Sequence, residues 1–149
     1  MVIYLAVSAD TTTGKSAYAY RINSSPVVSR VERNSTGPRE LLRGLIGIFD
    51  DILKEGMDKK NNDFIIITNN QFITKMINEN QIEQWHDCNW IKSTGDPVAS
   101  VDLLKQIYNY VLYFKEQKKN LFLTKPESSV EEANFKSVSK IALNKRKYS

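Results

Sequence analysis

The feature that most constrains the fold is a short apolar run in the middle of the chain, residues 63–68 (DFIIIT). A run of this length that is rich in isoleucine is typical of a β-strand buried on both faces. Asn69 and Asn70 follow directly and are predicted to end the strand. A second buried strand is predicted at residues 2–7, and the two strands together favour an α/β fold.

Patterns on either side of this run predict the remaining elements. Strands of an amino-terminal meander are predicted at residues 2–7, 16–22 and 27–31. A helix is predicted from Pro38, because proline fits a first helical turn and apolar residues then recur at helical spacing. Further helices are predicted at residues 71–80, 81–88, from 98 or 100 to about 114, and 130–145, with a strand at 121–124.

Two glycines of the helix that begins at Pro38 indicate how it packs. Gly44 and Gly47 lie on the stripe that begins at Glu40. Small residues on this stripe would let the helix approach a sheet closely, at some cost in helix propensity.

Length and composition are those of one ordinary soluble domain, residues 1–149, with 41% hydrophobic and 26% charged residues. The apolar run at the amino terminus is too short to cross a membrane. Cys88 is the only cysteine, so an internal disulfide is excluded. We therefore expect an intracellular protein, cytoplasmic or nuclear, with no membrane partner.

The net charge of +4 is concentrated at the carboxyl end, residues 136–149, where no acidic residue follows Glu132. Such a cluster suits a polyanion, and salt would then weaken the binding. The alternative is a solvated helix end whose cations complement the helix dipole. On this segment alone, the second interpretation is favoured.

Several short motifs resemble, in order, those of the ribonuclease H family, including its retroviral members. Residues 68–73 (TNNQFI) resemble the family's Thr-Asp-Ser-Gln-Tyr-Val, where a strand runs into a helix. Residues 84–103 contain two tryptophans at the family's spacing, followed in register by Pro-Val and Asp-Leu. Residues 39–41 (REL) and 14–18 (GKSAY) resemble the start of the first helix and of the second strand. The resemblance implies a ribonuclease H-like fold, a five-stranded mixed sheet flanked by helices.

Ribonuclease H cuts the RNA strand of an RNA–DNA hybrid with two magnesium ions, which the family holds with four carboxylates. Carried over to this chain, the resemblance keeps only Glu40, on the first helix. It places Ser8 on the first strand, Asn69 at the end of the fourth strand and Ser139 on the last helix, where the family has aspartate. Asp10 replaces Ser8 if the strand register shifts by two residues, which preserves the strand face. We therefore expect no metal site, no cofactor and no two-metal hydrolysis.

The resemblance also implies a surface that grips nucleic acid through a strand end, a tryptophan-containing handle and a phosphate pocket. The implied contact residues are Asn70, Gln71, Trp85, Trp90, Lys92, Ser93 and Thr94. Structural alternatives remain open: the tryptophans, Trp85 above all, can anchor helices, and Glu40 stabilises a first helical turn by its charge alone. His86, the only histidine, is expected on the surface.

Three functions remain open. The first, which we favour, is a catalytically inactive ribonuclease H-like module that binds RNA–DNA hybrid, RNA or DNA, or that supports a nucleic-acid-processing assembly. The second is an active, divergent ribonuclease H that uses magnesium or manganese with Asp10, Glu40, and Glu127 or Glu131. The third is a domain that binds only protein partners.

Overall fold

The computed structural model describes all 149 residues, and the chain begins with an antiparallel meander. Its strands are β1 (Val2–Asp10), β2 (Lys15–Ile22) and β3 (Val28–Glu32). Side chains of β1 alternate between two faces, as in any strand. Ile3 and Leu5 enter the larger hydrophobic core, whereas Tyr4 and Ala6 enter a smaller core on the opposite face. The sheet is therefore buried on both faces at β1.

Six helices and two further strands complete the fold. In chain order they are α1 (Gly37–Lys54), α2 (Met57–Lys60), β4 (Asp63–Ile67), α3 (Gln71–Asn78), α4 (Gln81–Asp87), α5 (Val101–Glu116), β5 (Asn120–Thr124) and α6 (Ser129–Tyr148). Every predicted helix and strand is present. The sequence did not predict α2, a single turn of four residues. No helix combines the length and the apolar character needed to cross a membrane.

The five strands form one sheet in the order β3-β2-β1-β4-β5. The β1–β4 and β4–β5 pairs are parallel, whereas β1–β2 and β2–β3 are antiparallel. The predicted five-stranded mixed sheet is therefore confirmed. Because parallel strands share their direction, β1, β4 and β5 all finish at one end of the sheet, which we call the carboxyl end.

Helix α1 packs very closely on the larger core face of the sheet. Thr36 caps it by accepting a hydrogen bond from the backbone of Arg39 at 3.2 Å, and a proline occupies its first turn. A Cβ atom at Gly44 would lie 2.7 Å from Cδ1 of Leu5 and 3.2 Å from the ring of Tyr18. Glycine therefore sets the helix–sheet separation at this point.

Helix α6 covers the opposite face mainly over β1, β2 and β3, and its smaller core also includes Ile67 at the end of β4. Phe135, Val138 and Ala142 form its buried stripe. The same face is open further along β4 and on β5, where Ile65 and Phe122, which are neighbours in the strand register, are 36% and 52% exposed. An apolar pair thus lies on the uncovered part of the sheet.

The outer side of strand β5 is paired with a side chain of α3. The Asn78 amide donates from Nδ2 to the carbonyl of Leu123 at 2.7 Å and accepts from the backbone N–H of Leu123 at 3.0 Å. This two-point contact fixes α3 against the sheet and orients the residues at the start of α3.

Candidate nucleic-acid interface

The strand register determines which residues meet at the carboxyl end of the sheet. Tyr4 lies beside Ile67 in the parallel β1–β4 pair, and continuing this register puts Ala6 beside Asn69. Ser8 lies two residues further along β1, about 7 Å away at roughly 3.3 Å per residue. The structure therefore does not bring Ser8 and Asn69 to the same level, although the resemblance assigned a family carboxylate to each.

An arginine from the last helix occupies the end of β1. Arg146 continues the buried stripe of α6, and its Nε donates to Ser8 Oγ at 2.8 Å. Its Nη1 lies 3.6 Å from Oδ2 of Asp10, with the two side chains 16% and 33% exposed. A fixed cation therefore lies between the two β1 residues that were candidates for metal ligation.

Asp10 begins the hairpin turn between β1 and β2. Its Oδ1 accepts a hydrogen bond from the backbone N–H of Thr12 at 2.9 Å. That bond is the main cause of a lowered pKa of the Asp10 carboxyl, with smaller contributions from Thr13 and Arg146. The carboxylate is therefore ionised at neutral pH, but its partners are the turn backbone and a guanidinium.

Glu40 is completely buried in the first turn of α1. Its Oε2 accepts from Ser35 Oγ at 2.6 Å and lies 3.1 Å from Nε of Arg43, while Oε1 has no hydrogen-bond partner. Burial raises the pKa of the carboxyl, although Ser35 and Arg43 partly oppose this shift. Glu40 also lines a cavity of about 290 Å³ with Tyr18 and Arg30 of the meander.

The remaining assigned carboxylate positions hold uncharged side chains. Asn69 is exposed beyond the end of β4, and Ser139 is half-buried on α6. His86 is exposed, as expected, and its ring stacks on Tyr108 with 4.1 Å between centroids. Neither Asn69 nor Ser139 brings negative charge to the carboxyl end of the sheet.

These residues do not fit a pair of magnesium ions. Magnesium retains its water unless anionic oxygens converge on it, and the positions where the resemblance places family aspartates hold the uncharged side chains of Ser8, Asn69 and Ser139. Arg146 adds positive charge to the end of β1, and Arg43 already pairs with Glu40. No group of three or more His, Cys, Asp or Glu side chains is arranged to hold a metal ion.

The end of β4, the end of β5 and the start of α3 enclose a cavity of about 480 Å³, which we call the strand-end cavity. It brings together the predicted residues Asn69, Asn70 and Gln71. Asn70 caps α3 by accepting from the backbone of Ile73 at 3.1 Å. The rest of the lining is Thr68, Thr74, Lys75, Asn78, Phe122, Leu123, Thr124, Lys125 and Glu127.

The two predicted tryptophans occupy different environments. Trp90 is 8% exposed and belongs to the larger core, so its ring is not available to a ligand, and packing is its role in this structure. Trp85 is half-buried and stacks on the exposed ring of Phe72, with 5.9 Å between centroids. Of the two tryptophans, only Trp85 therefore presents aromatic surface at this site.

Lys92, Ser93 and Thr94 lie in an exposed turn beside Trp85. The backbone of Lys92 donates to Asp96 at 2.8 Å, and an isolated bridge between residues 91 and 97 closes the turn. With Trp85, these three residues line a cavity of about 380 Å³, which we call the handle cavity. The structure thus brings the three residues predicted for a phosphate pocket next to one of the predicted tryptophans.

A third cavity, of about 290 Å³, lies between the other two. It shares Lys75 with the strand-end cavity and shares Gln81 and Gln84 with the handle cavity. The three cavities are thus linked by shared lining residues along α3 and α4, and we call them together the interface groove.

Sequence reasoning missed the contribution of β5 and α6 to this end of the molecule. Phe122 and Lys125 line the strand-end cavity, and Arg146 reaches β1 from the far end of the chain. The sequence does not mark Phe122 as exposed, because it lies between two other apolar residues, Leu121 and Leu123. The sequence alone did not identify which basic side chain of residues 136–149 contacts strand β1.

No family model and no curated protein matches this sequence. Solved structures do match it. A foamy viral protease–reverse transcriptase in complex with dsDNA aligns with 97% of this chain and 92% of its own, at a TM-score of 0.78 and 12% identity. The structure of its complex with RNA/DNA hybrid aligns with 97% of this chain and with 20% of the viral chain, at a TM-score of 0.75 and 13% identity.

A bacterial structure is similar as well. The N-terminal RNase H domain of rv2228c from Mycobacterium tuberculosis, solved as a fusion with maltose-binding protein, aligns with 98% of this chain and 92% of its own. The TM-score is 0.61 and the identity 16%. At such identities a structural match establishes the fold, and the chain therefore has the ribonuclease H-like fold that its motifs predicted.

Proposed function

We propose that this chain is a nucleic-acid-binding module of ribonuclease H-like fold that does not hydrolyse RNA by two-metal chemistry. It would act inside the cell, within a larger nucleic-acid-processing assembly. The observation that carries the proposal is the interface groove, which joins most of the sequence-predicted contact residues into one surface.

The chemistry of the groove suits a sugar–phosphate backbone. Lys75, Lys92 and Lys125 are exposed along it. Two carboxylates, Glu79 and Glu127, also line it, and amides and hydroxyls supply the other polar groups. Phosphate contacts of this kind position a strand, while amides next to them reach base edges or 2′-hydroxyls. Trp85, which lines the handle cavity and stacks on Phe72, adds aromatic surface.

Charge outside the groove supports the same partner. Helix α6 ends with Lys145, Arg146 and Lys147, and Arg146 is fixed at the carboxyl end of β1. The groove starts at the carboxyl end of β4, so these cations and the groove lie at the same end of the sheet. A polyanion approaching the groove would therefore meet additional positive charge.

The comparisons support nucleic acid as the ligand by analogy. The similar foamy viral protein was solved with dsDNA and with RNA/DNA hybrid. The absence of hydrolysis is inferred from the residues themselves. Asn69 is neutral, Glu40 is paired with Arg43, and the cation nearest to Asp10 is Arg146.

Fluorescence anisotropy with labelled hybrid, duplex DNA and single strands tests binding. We expect affinity at low salt that falls as salt is added, because displaced counterions drive the association. Changing both Lys75 and Lys92 to glutamine removes two groove cations. The slope of log K against log salt should then become less negative by about 1.8. Lys59→Gln, on α2 away from the groove, is the matched control and should change neither slope nor affinity.

A cleavage assay separates this proposal from an active ribonuclease H. The purified chain, incubated with labelled hybrid and either magnesium or manganese, should leave the RNA intact. Cleavage that Glu40→Gln abolishes would overturn the proposed lack of hydrolysis. Failure to bind any nucleic acid at low salt would overturn the binding half and favour a protein-binding domain.

A further inference from the structure

We propose that the strand-end cavity holds one unpaired nucleotide of the bound strand, with its base on Phe122. This inference rests on the proposed function and names what the groove recognises at its strand end. The volume, about 480 Å³, lies within the roughly 300–1,000 Å³ typical of small-ligand sites.

Phe122 provides an aromatic face at the mouth of the cavity. It is 52% exposed because α6 does not extend over β5, so no part of this chain covers the ring. An exposed aromatic ring that lines a cavity is suited to stacking with a nucleobase, which offers a π-face regardless of sequence.

Polar groups without partners surround this ring. The amides of Asn70 and Asn78 are already used for the α3 cap and for the outer side of β5. The amides of Asn69 and Gln71 make no hydrogen bond within the chain and are exposed at the cavity. An amide presents a donor and an acceptor together, which matches the edge of a base.

A buried hydroxyl adds a second, independent indication of a ligand. Thr68 is 1% exposed, and its Oγ1 has no hydrogen-bond partner although it lines the cavity. A buried polar atom without a partner is costly, so a ligand that supplies one would be stabilised there.

The charges of the cavity fit a nucleotide better than an uncharged base. Lys75 and Lys125 lie on its lining and make no ion pair, so either can meet a phosphate. The single carboxylate, Glu127, accepts a hydrogen bond from Thr124 Oγ1 at 3.1 Å. Its remaining acceptor capacity suits a sugar hydroxyl or an exocyclic amino group.

The test compares two labelled RNA–DNA hybrids, one fully paired and one with a single unpaired nucleotide in the RNA strand. We expect the bulged hybrid to bind at least about fivefold more tightly, the lower limit for stacking one base on an aromatic ring. Phe122→Ala should abolish this preference. Ile65→Ala, its exposed neighbour in register outside the cavity, should preserve it, and thermal unfolding of both variants checks that each is folded.

A titration with adenosine monophosphate, followed by NMR, provides a readout of the strand-end cavity that does not depend on the rest of the groove. The side-chain amide signals of Asn69 and Gln71 should shift in the wild type and remain unchanged in Phe122→Ala. Equal affinity for the two hybrids, or a preference that survives Phe122→Ala, would overturn the inference and leave the proposed function intact. If neither hybrid binds, the inference fails unless the monophosphate shifts these signals. The proposed function fails only if duplex DNA and single strands do not bind either.

Discussion

Replacing Arg146 by methionine removes the guanidinium from the end of β1 while keeping a stem of similar length. The main loss is the hydrogen bond from Nε to Ser8 Oγ, made at 2.8 Å by a side chain that is 16% exposed. A hydrogen bond with one charged partner contributes about 1.5–3 kcal/mol. The ion pair with Asp10 is longer and solvated, so we assign it no stability.

For a domain of this size, that loss corresponds to a fall in Tm of about 3–12 °C. Urea unfolding of the wild type, Arg146→Met, Ser8→Ala and the double variant forms a double-mutant cycle. The coupling free energy between the two residues should be about 1.5 kcal/mol or more. Lys147→Met, which removes an exposed neighbouring cation, should change the unfolding free energy by less than about 0.5 kcal/mol.

A coupling free energy below about 0.5 kcal/mol would refute the proposed contact, because the stability changes caused by mutations at independent sites add to within that limit. It would mean that Arg146 is not fixed between Ser8 and Asp10 in solution. Removing Arg146 should also leave magnesium affinity negligible in isothermal titration calorimetry, because Asn69 remains neutral. Tight magnesium binding by Arg146→Met would show that the arginine alone excludes the metal.

Three further predictions concern the core and the buried acid. Gly44→Val should lower the free energy of unfolding in urea by about 1–3 kcal/mol, because the added carbons meet Leu5 and Tyr18, and an unchanged midpoint would contradict the close packing. Burial raises the pKa of Glu40 above its usual value of 4.5. The protonated Glu40 therefore contributes favourably to the free energy of unfolding below pH 4.5, and this contribution is lost as the pH rises through the folded-state pKa. The urea midpoint of Glu40→Gln, relative to that of the wild type, should therefore increase between pH 4 and 8. A difference between the two midpoints that does not change with pH would contradict the raised pKa. Because Trp90 is buried, Trp90→Phe should lower Tm but leave the Kd for hybrid unchanged. Weaker binding by the fully folded variant would show that Trp90 contributes to the interface.

The order of helices and strands could be predicted because each element carries a local signal. The run at residues 63–68 and the apolar spacing after Pro38 each reflect burial of a face, which periodicity records directly. The sheet topology depends on pairing between distant strands, and it was predicted from the resemblance of the motifs to the ribonuclease H family. Helix α2 escaped prediction, since four residues are too few to show a period.

The candidate site was predictable only where its residues are close in sequence. Asn69, Asn70 and Gln71 form one segment, and Trp85 lies near Lys92. Contacts between distant segments could not be read from the sequence. The pairing of Ser8 with Arg146 spans 138 positions, and Phe122 reaches the strand-end cavity only because β5 pairs with β4. The burial of Trp90 likewise depends on the packing of several helices.

The contact of Asn78 with Leu123 has a consequence for association between molecules. A terminal strand with free backbone groups is a template on which an extended peptide can add, and this is a common route to aggregation. Here the amide imitates a neighbouring strand by offering a donor and an acceptor to one residue. A peptide that is added beside β5 must first displace it, so we expect Asn78→Ala to increase light scattering at high protein concentration more than its loss of stability explains.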